Sequence, residues 1–223
     1  MDVVQAEELK FKHPFSMLLT GARRTGKTYF IKTLLREATN FITPQIDKVF
    51  WFAPSRQNDL FEEMKTYTIG DSITFVKDLP NEDLIEFVHG KAGDGRKLLI
   101  FDDLMEEASR RKDVKNLFTR GRHENVSVIF LSQNRFHQGG HFREISLNTD
   151  YFIIFKNVCD GSTIKHLASQ MNARDFLPRA YKHATQDAYS HLLLDMRSDT
   201  DERLRVRAKV FDEYPVVYVK RGG

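Results

Sequence analysis

Cysteine is almost missing: Cys159 is the only one in 223 residues. A lone thiol closes no disulfide within one chain and builds no thiolate metal cluster. Disulfide-stapled and zinc-ribbon classes are therefore excluded, and a reducing, intracellular setting is expected. Long apolar runs are missing too. The most hydrophobic stretches fall far short of the ~20 residues that cross a bilayer, so no membrane partner is expected. The opening residues, Met1 to Glu8, have neither the basic start nor the apolar centre of a secretion signal. The eight histidines are scattered and form no HExxH pattern. An excess of one charge is also lacking: 34 Lys and Arg against 31 Asp and Glu leave a formal charge of +3. That is too mild to demand a nucleic-acid partner, although a pI near 8.9 permits one. With 41% hydrophobic and 29% charged residues, the composition is that of a soluble globular chain able to bury an α/β core. No internal repeat, low-complexity tract or linker interrupts it. One domain spanning residues 1–223 is expected, with its core at about 10–211.

What is present is an alternation of strands and helices. Phe15–Thr20 reads as a short apolar strand. Phe30, Ile31, Leu34, Leu35 and Ala38 follow at helical spacing. Asp47–Phe52 and Ile73–Val76 read as strands, with a short amphipathic helix on Leu60, Phe61 and Met64 between them. A helix opened by Pro80-Asn81 carries Leu84, Ile85, Phe87 and Val88, and the glycine-containing stretch 89–96 reads as a loop. Lys97–Phe101, Val126–Leu131 and Tyr151–Phe155 are continuous apolar runs, as in strands buried on both faces of a parallel sheet. A charged helix is expected over Met105–Thr119, further helices near Ser162–Met171 and Pro178–Ala184, and terminal strands near Ser190–Asp195 and Leu204–Phe211. The sum is an α/β fold, a mostly parallel sheet with helices on both faces.

Into the first strand–helix junction falls Gly21-Ala22-Arg23-Arg24-Thr25-Gly26-Lys27-Thr28. It fits the phosphate-loop pattern GxxxxGK[ST] at every fixed position and in the required context. Gly21 and Gly26 let the backbone turn tightly and offer N–H groups to an anion, and the helix start adds partial positive charge. Lys27 is placed to reach the β- and γ-phosphates and the Thr28 hydroxyl to ligate Mg²⁺. The run Lys97–Phe101 ends in Asp102-Asp103, a strand closed by two acids. Asp102 is the candidate Mg²⁺ holder and Asp103 the candidate general base, with Glu106 or Glu107 as fallbacks. An acid beside the metal-binding Asp points to the P-loop branch (ASCE, RecA-like) with an extra strand between the two motif strands. Here that strand is Val126–Leu131, and its end carries Gln133, a neutral group able to orient water and sense a terminal phosphate.

Thr119-Arg120-Gly121-Arg122 precedes that strand, with Gly121 expected to end the helix. A right-handed crossover puts Arg120 and Arg122 at the edge of the sheet opposite their own phosphate loop. They could serve a neighbouring copy's nucleotide as arginine fingers, or bind phosphate backbone or surface carboxylates. Both readings stay open. Arg135 could act in cis, and Arg23 and Arg24 also lie near a nucleotide.

The phosphate loop, Leu99–Leu104 and above all the segment from Thr119 to Asn134 resemble the viral genome-packaging ATPases of the FtsK/HerA superfamily. The poxvirus-type enzymes and their relatives in Polinton-like and adintovirus-like elements are the nearest group, and residues 141–148 and 192–195 are similar to it as well. The resemblance implies an ATP-driven homo-oligomeric ring, pentamer or hexamer, moving double-stranded DNA into a capsid through portal-vertex partners in a virus-infected cell. It departs from the wider group in having Asp103 where glutamate is common, and in lacking a recognisable nuclease domain. For such a motor the candidate DNA-gripping loop holds Arg135, His137, His141 and Arg143. Further basic sets are Arg110, Arg111, Lys112 and Lys115, and the alternating Arg203, Arg205, Arg207 and Lys209. A nucleotide or small-molecule kinase and a non-packaging DNA translocase are the alternatives. A GTP switch lacks its base-reading motif, since Lys156–Asp160 carries similar letters in the wrong order.

Overall fold

The computed structural model describes residues 6–54, 58–133, 142–157 and 161–220. Strand β1 (Phe11–Lys12) leads into β2 (Ser16–Thr20), and the phosphate loop connects β2 to α1 (Lys27–Arg36). A single turn α2 (Ala38–Phe41) precedes β3 (Ile42–Thr43), β4 (Lys48–Ala53) and α3 (Asn58–Met64). Next come β5 (Ile73–Lys77), α4 (Leu84–Ala92) and β6 (Lys97–Asp102). Helices α5 (Met105–Ala108) and α6 (Lys112–Arg120) lead to β7 (Val126–Ser132), then α7 (Phe142–Leu147) and β8 (Tyr151–Phe155). The chain closes with α8 (Ser162–Gln170), α9 (Phe176–Ala184), β9 (His191–Asp195), β10 (Val206–Ala208) and β11 (Val216–Val217).

Nine strands form one sheet in the order β11-β10-β9-β8-β2-β7-β6-β4-β5, while β1 and β3 pair separately. From β8 to β5 every pairing is parallel, and β9 to β11 extend the sheet antiparallel. Strand β7 thus lies between the strand that feeds the phosphate loop and the one that ends in two acids, as the second acid implied. Alternation along the strands divides the core into two layers. Leu18, Phe52, Phe101 and Phe130 pack on one face with α4, α6, α8 and α9. Met17, Trp51, Ile100 and Ile129 pack on the other with α1. Phe101 stacks between Phe52 and Phe130 with ring centroids 5.2 and 4.6 Å away. All three stand in register on β4, β6 and β7. Such a ladder resists a register slip, because moving one strand by one residue would turn its rings out of the layer.

Several expectations are corrected. Helix α4 begins only at Leu84, where Asp83 accepts from the N–H groups of Ile85 and Glu86. It then runs through Gly90 to Ala92, so stretch 89–96 is loop only in its second half. Gly93, at φ 61°, ends it. The charged helix breaks into α5 and α6 around residues 109–111. Helix α6 ends at Arg120 with Gly121 at its C-cap, as expected, while Gly121 itself stays right-handed at φ −54° and Asn125 at φ 53° makes the left-handed turn into β7. Only three residues of Leu204–Phe211 are strand. Arg207 faces inward beside buried Asp195 and donates to the Leu9 carbonyl. Arg205 caps the carbonyls of Asp195, Arg197 and Thr200. The alternating arginines are therefore no shared exposed face. Of the other basic set, Arg111 is engaged with Asp113 and Lys115 with Glu144.

Two buried imidazoles make stability acid-sensitive. Burial pushes His191, between Phe30 and Phe155, and His13, bonded to Ser127 Oγ at 2.6 Å, down to about 4 from 6.5. Both are neutral in the fold, and the unfolded chain takes up their protons first. Their contribution is therefore complete above pH 6.5 and declines as the pH falls toward 4. Asp102 works in the opposite sense, so a comparison of variants isolates the imidazole. Unfolding free energies from denaturant titrations between pH 7 and 4 should fall less steeply for His191→Leu than for the parent, by on the order of 2 kcal/mol over that window. Parallel curves would show that His191 does not carry the effect.

Candidate nucleotide site

At the C-terminal rim of the parallel strands the loop after β2 wraps into α1. Gly26 sits at φ 102°, and no side chain caps the helix. The first N–H groups of α1 thus have no side-chain acceptor, unlike those of α4, and face an anion-sized opening. An alanine at 26 would be strained at that φ, and its Cβ would meet that of Tyr189 at 3.3 Å. Lys27 is 9% exposed and donates to the carbonyls of Gly21 and Ala22 at 2.7 and 2.8 Å. Burial lowers its pKa, while Asp103 and Asp102 draw it back up.

The register of β2, β7 and β6 brings Thr20, Ser132 and Asp102 to one rim. Consecutive strand side chains normally point to opposite faces. Asp103 takes a left-handed backbone at φ 54° instead, a conformation aspartate tolerates better than most residues. Asp102 and Asp103 consequently line the same cavity of about 890 Å³, together with Arg23, Arg24, Thr25, Lys27, Thr28 and Gln133. Glu107 is exposed and does not line it, and the Glu106 side chain lies outside the described residues. Gln133 Nε2 donates to Asp103 Oδ1 at 2.8 Å, and Arg23 Nε donates to Gln133 Oε1 at 3.1 Å. The loop, the Gln133 amide and the second acid are thereby joined in one polar chain.

Burial, reinforced by the Asp103 charge, pushes Asp102 up to about 6, against Lys27 and a hydrogen bond from Trp51. A buried carboxylate beside a second one is a place where a cation is favourable. Its hydroxyl and carboxylate donors, from Thr28 and Asp102, suit a hard oxygen-seeking ion such as Mg²⁺.

Arg120 ends α6 and is exposed, without an ion pair to a described residue. It lies at the opposite rim, the length of the seven-residue β7 away, roughly 20 Å. Arg122 shares that rim by its backbone. Arg135, His137 and His141 lie outside the described residues; Arg143 is on α7, its side chain likewise outside. Trp51, Tyr29 and Tyr189 join the site without having been singled out in the sequence. Only Tyr29, an aromatic next to Thr28, offered a local signal.

The model of the family described as "Poxvirus A32 protein" matches residues 4–174. The chain belongs to that family. This A32-family chain is 26% identical over 144 residues to the DNA packaging protein OPG160 of Vaccinia virus (strain Copenhagen), covering 59% of the chain and 50% of that protein. It is 27% identical over 138 residues to the Variola virus counterpart, covering 56% and 48%. It spans about half the length of these curated relatives. Among solved structures it is similar to the genome packaging NTPase B204 of Sulfolobus turreted icosahedral virus 2. The complexes with ATP-gammaS and with AMPPCP give TM-scores of 0.56 and 0.54, at 14% and 15% identity, and each covers 92% of this chain and 97% of that one. At that identity the likeness speaks for the fold, that of a P-loop NTPase. No helix among the described residues is long and apolar enough to cross a membrane.

Proposed function

We propose that this chain is an ATP-hydrolysing motor that drives double-stranded DNA into a viral capsid. The observation that carries the reading is one cavity. The uncapped start of α1, Lys27, two carboxylates and the Gln133 amide converge there, in a chain whose family relatives are named for DNA packaging.

The triphosphate lies along residues 21–28, and Lys27 exchanges its two loop carbonyls for β- and γ-phosphate oxygens. Thr28 and Asp102 would hold Mg²⁺, which would supply charge neutralisation on the phosphates. Asp103 takes a proton from the attacking water, and Gln133, already bonded to Asp103, orients that water. Arg120 or Arg122 of an adjoining copy supplies a guanidinium to the transferring phosphoryl group in a head-to-tail ring. Arg23 bridges the loop to Gln133 and makes the amide responsive to the terminal phosphate. The segment after Gln133, with Arg135, His137, His141 and Arg143, grips the DNA backbone, so loss of the phosphate moves DNA. The motor acts in the virus-infected cell with capsid or portal-vertex proteins as partners.

ATP turnover measured with and without long double-stranded DNA, alongside particle mass, tests this. Stimulation by DNA, several-fold or more and confined to a multimer, is expected. Turnover indifferent to DNA would reject the motor, and absence of turnover the enzyme.

A further inference from the structure

The phosphate cavity does not end at the loop. Gly26, Tyr29 and Tyr189 also line a second cavity of about 460 Å³. Its size falls within the roughly 300–1,000 Å³ of small-molecule sites. Its inner wall is aromatic, built from Phe30, Phe155, His191 and Phe211. Burial pushes His191 down to about 4, so its ring is neutral and joins the three phenyl rings as a stacking surface, edged by the charged Asp187, Lys209 and Asp212. A flat, largely uncharged group attached to a triphosphate is the ligand this wall suits.

Tyr189 stands at the junction. It is 68% exposed, and Tyr29 beside it 64%. Its backbone is held at φ 64°, where bulky side chains are rarely found. Its hydroxyl has no partner among the described residues. Chain folding alone gives little reason to hold a large aromatic ring strained, uncovered and against Gly26.

We propose that Tyr189 is the stacking platform of the nucleobase, with the cavity beside it as the base's compartment. This rests on the reading that residues 21–28 take the triphosphate. Stacking on an aromatic face is tolerant of base identity, so Tyr189 contributes affinity for nucleotides over bare polyphosphate.

Titrations with Mg²⁺-ATPγS and with Mg²⁺-tripolyphosphate separate the two ideas. Tyr189→Ala should weaken ATPγS binding on the order of 10-fold and leave tripolyphosphate binding unchanged, which also reports an intact loop. Tyr189→Phe should match the parent for both. In Tyr189→Trp, the new indole should be quenched by ATPγS and not by tripolyphosphate. The only native tryptophan, Trp51, is buried and hydrogen-bonded to Asp102, so its response to each ligand is measured in the parent and subtracted. Unaltered ATPγS affinity in Tyr189→Ala overturns the platform, as does equal loss of both ligands, which would make Tyr189 a support of the loop. If the parent binds tripolyphosphate as tightly as ATPγS, the base compartment fails while the phosphate site stands. If the parent binds neither, both readings fall.

Discussion

Alanine at position 27 should lower ATP turnover by at least about 10³-fold with little loss of stability. Lys27 is the one cation of the phosphate loop that the fold has already desolvated, and its ammonium now rests on two carbonyls. Those carbonyls hold it at the mouth of the helix, ready for a stronger acceptor. Transfer to phosphate exchanges neutral acceptors for charged ones, and such hydrogen bonds are roughly twice as strong. Truncation removes that gain from both the bound and the reacting triphosphate. Arginine at 27 should not rescue turnover, since a planar fork cannot occupy the space of a compact ammionium-sized group held between loop carbonyls. Phosphate release at saturating Mg²⁺-ATP, paired with a thermal melt, checks both halves. Turnover above a tenth of the parent's in a folded variant would remove Lys27 from the chemistry.

The second large effect tests the neighbour. Arg120→Ala alone should cost about 10³- to 10⁵-fold in turnover if its guanidinium completes the adjoining site. The structure supplies the reason to look outside the subunit, because α6 delivers Arg120 to the rim opposite its own loop. Mixing is decisive. A Lys27→Ala subunit is dead at its own loop yet keeps Arg120, and an Arg120→Ala subunit keeps its loop. Reassembled in equal amounts, about a quarter of head-to-tail interfaces would pair an intact loop with an intact arginine. Activity should therefore return to a measurable fraction of the parent's, although each variant alone is inactive. Mixing without recovery would assign Arg120 to its own subunit or to supporting β7. The same pairing with Arg122→Ala decides which of the two arginines acts.

The features legible in the sequence share a property: each is settled within a few consecutive residues. The phosphate-loop pattern is a turn, a helix start and one lysine, all inside residues 21–28. Buried parallel strands announce themselves as short apolar runs, and β6, β7 and β8 appear at or within one residue of the expected bounds. Even the position of β7 between β2 and β6 followed from one acid, because that acid marks a particular strand order.

The misreadings share the opposite property. Alternation in Arg203–Lys209 says which side chains share a face, but whether that face meets water depends on what covers it. Asp195 and the Leu9 carbonyl, far away in the chain, turned Arg207 inward.

From its sequence alone this protein was committed to a strand–turn–helix carrying the phosphate-loop pattern and to a strand ending in paired acids. The turn, the helix start and the apolar runs act over a few residues and need no distant partner. Tertiary structure alone put Gln133 between Arg23 and Asp103, rotated the second carboxylate into the cavity, and set Tyr189 against Gly26. Each of those contacts joins residues thirty to more than a hundred and fifty positions apart. Only the assembled sheet, with its register held by packing, brings such pairs together.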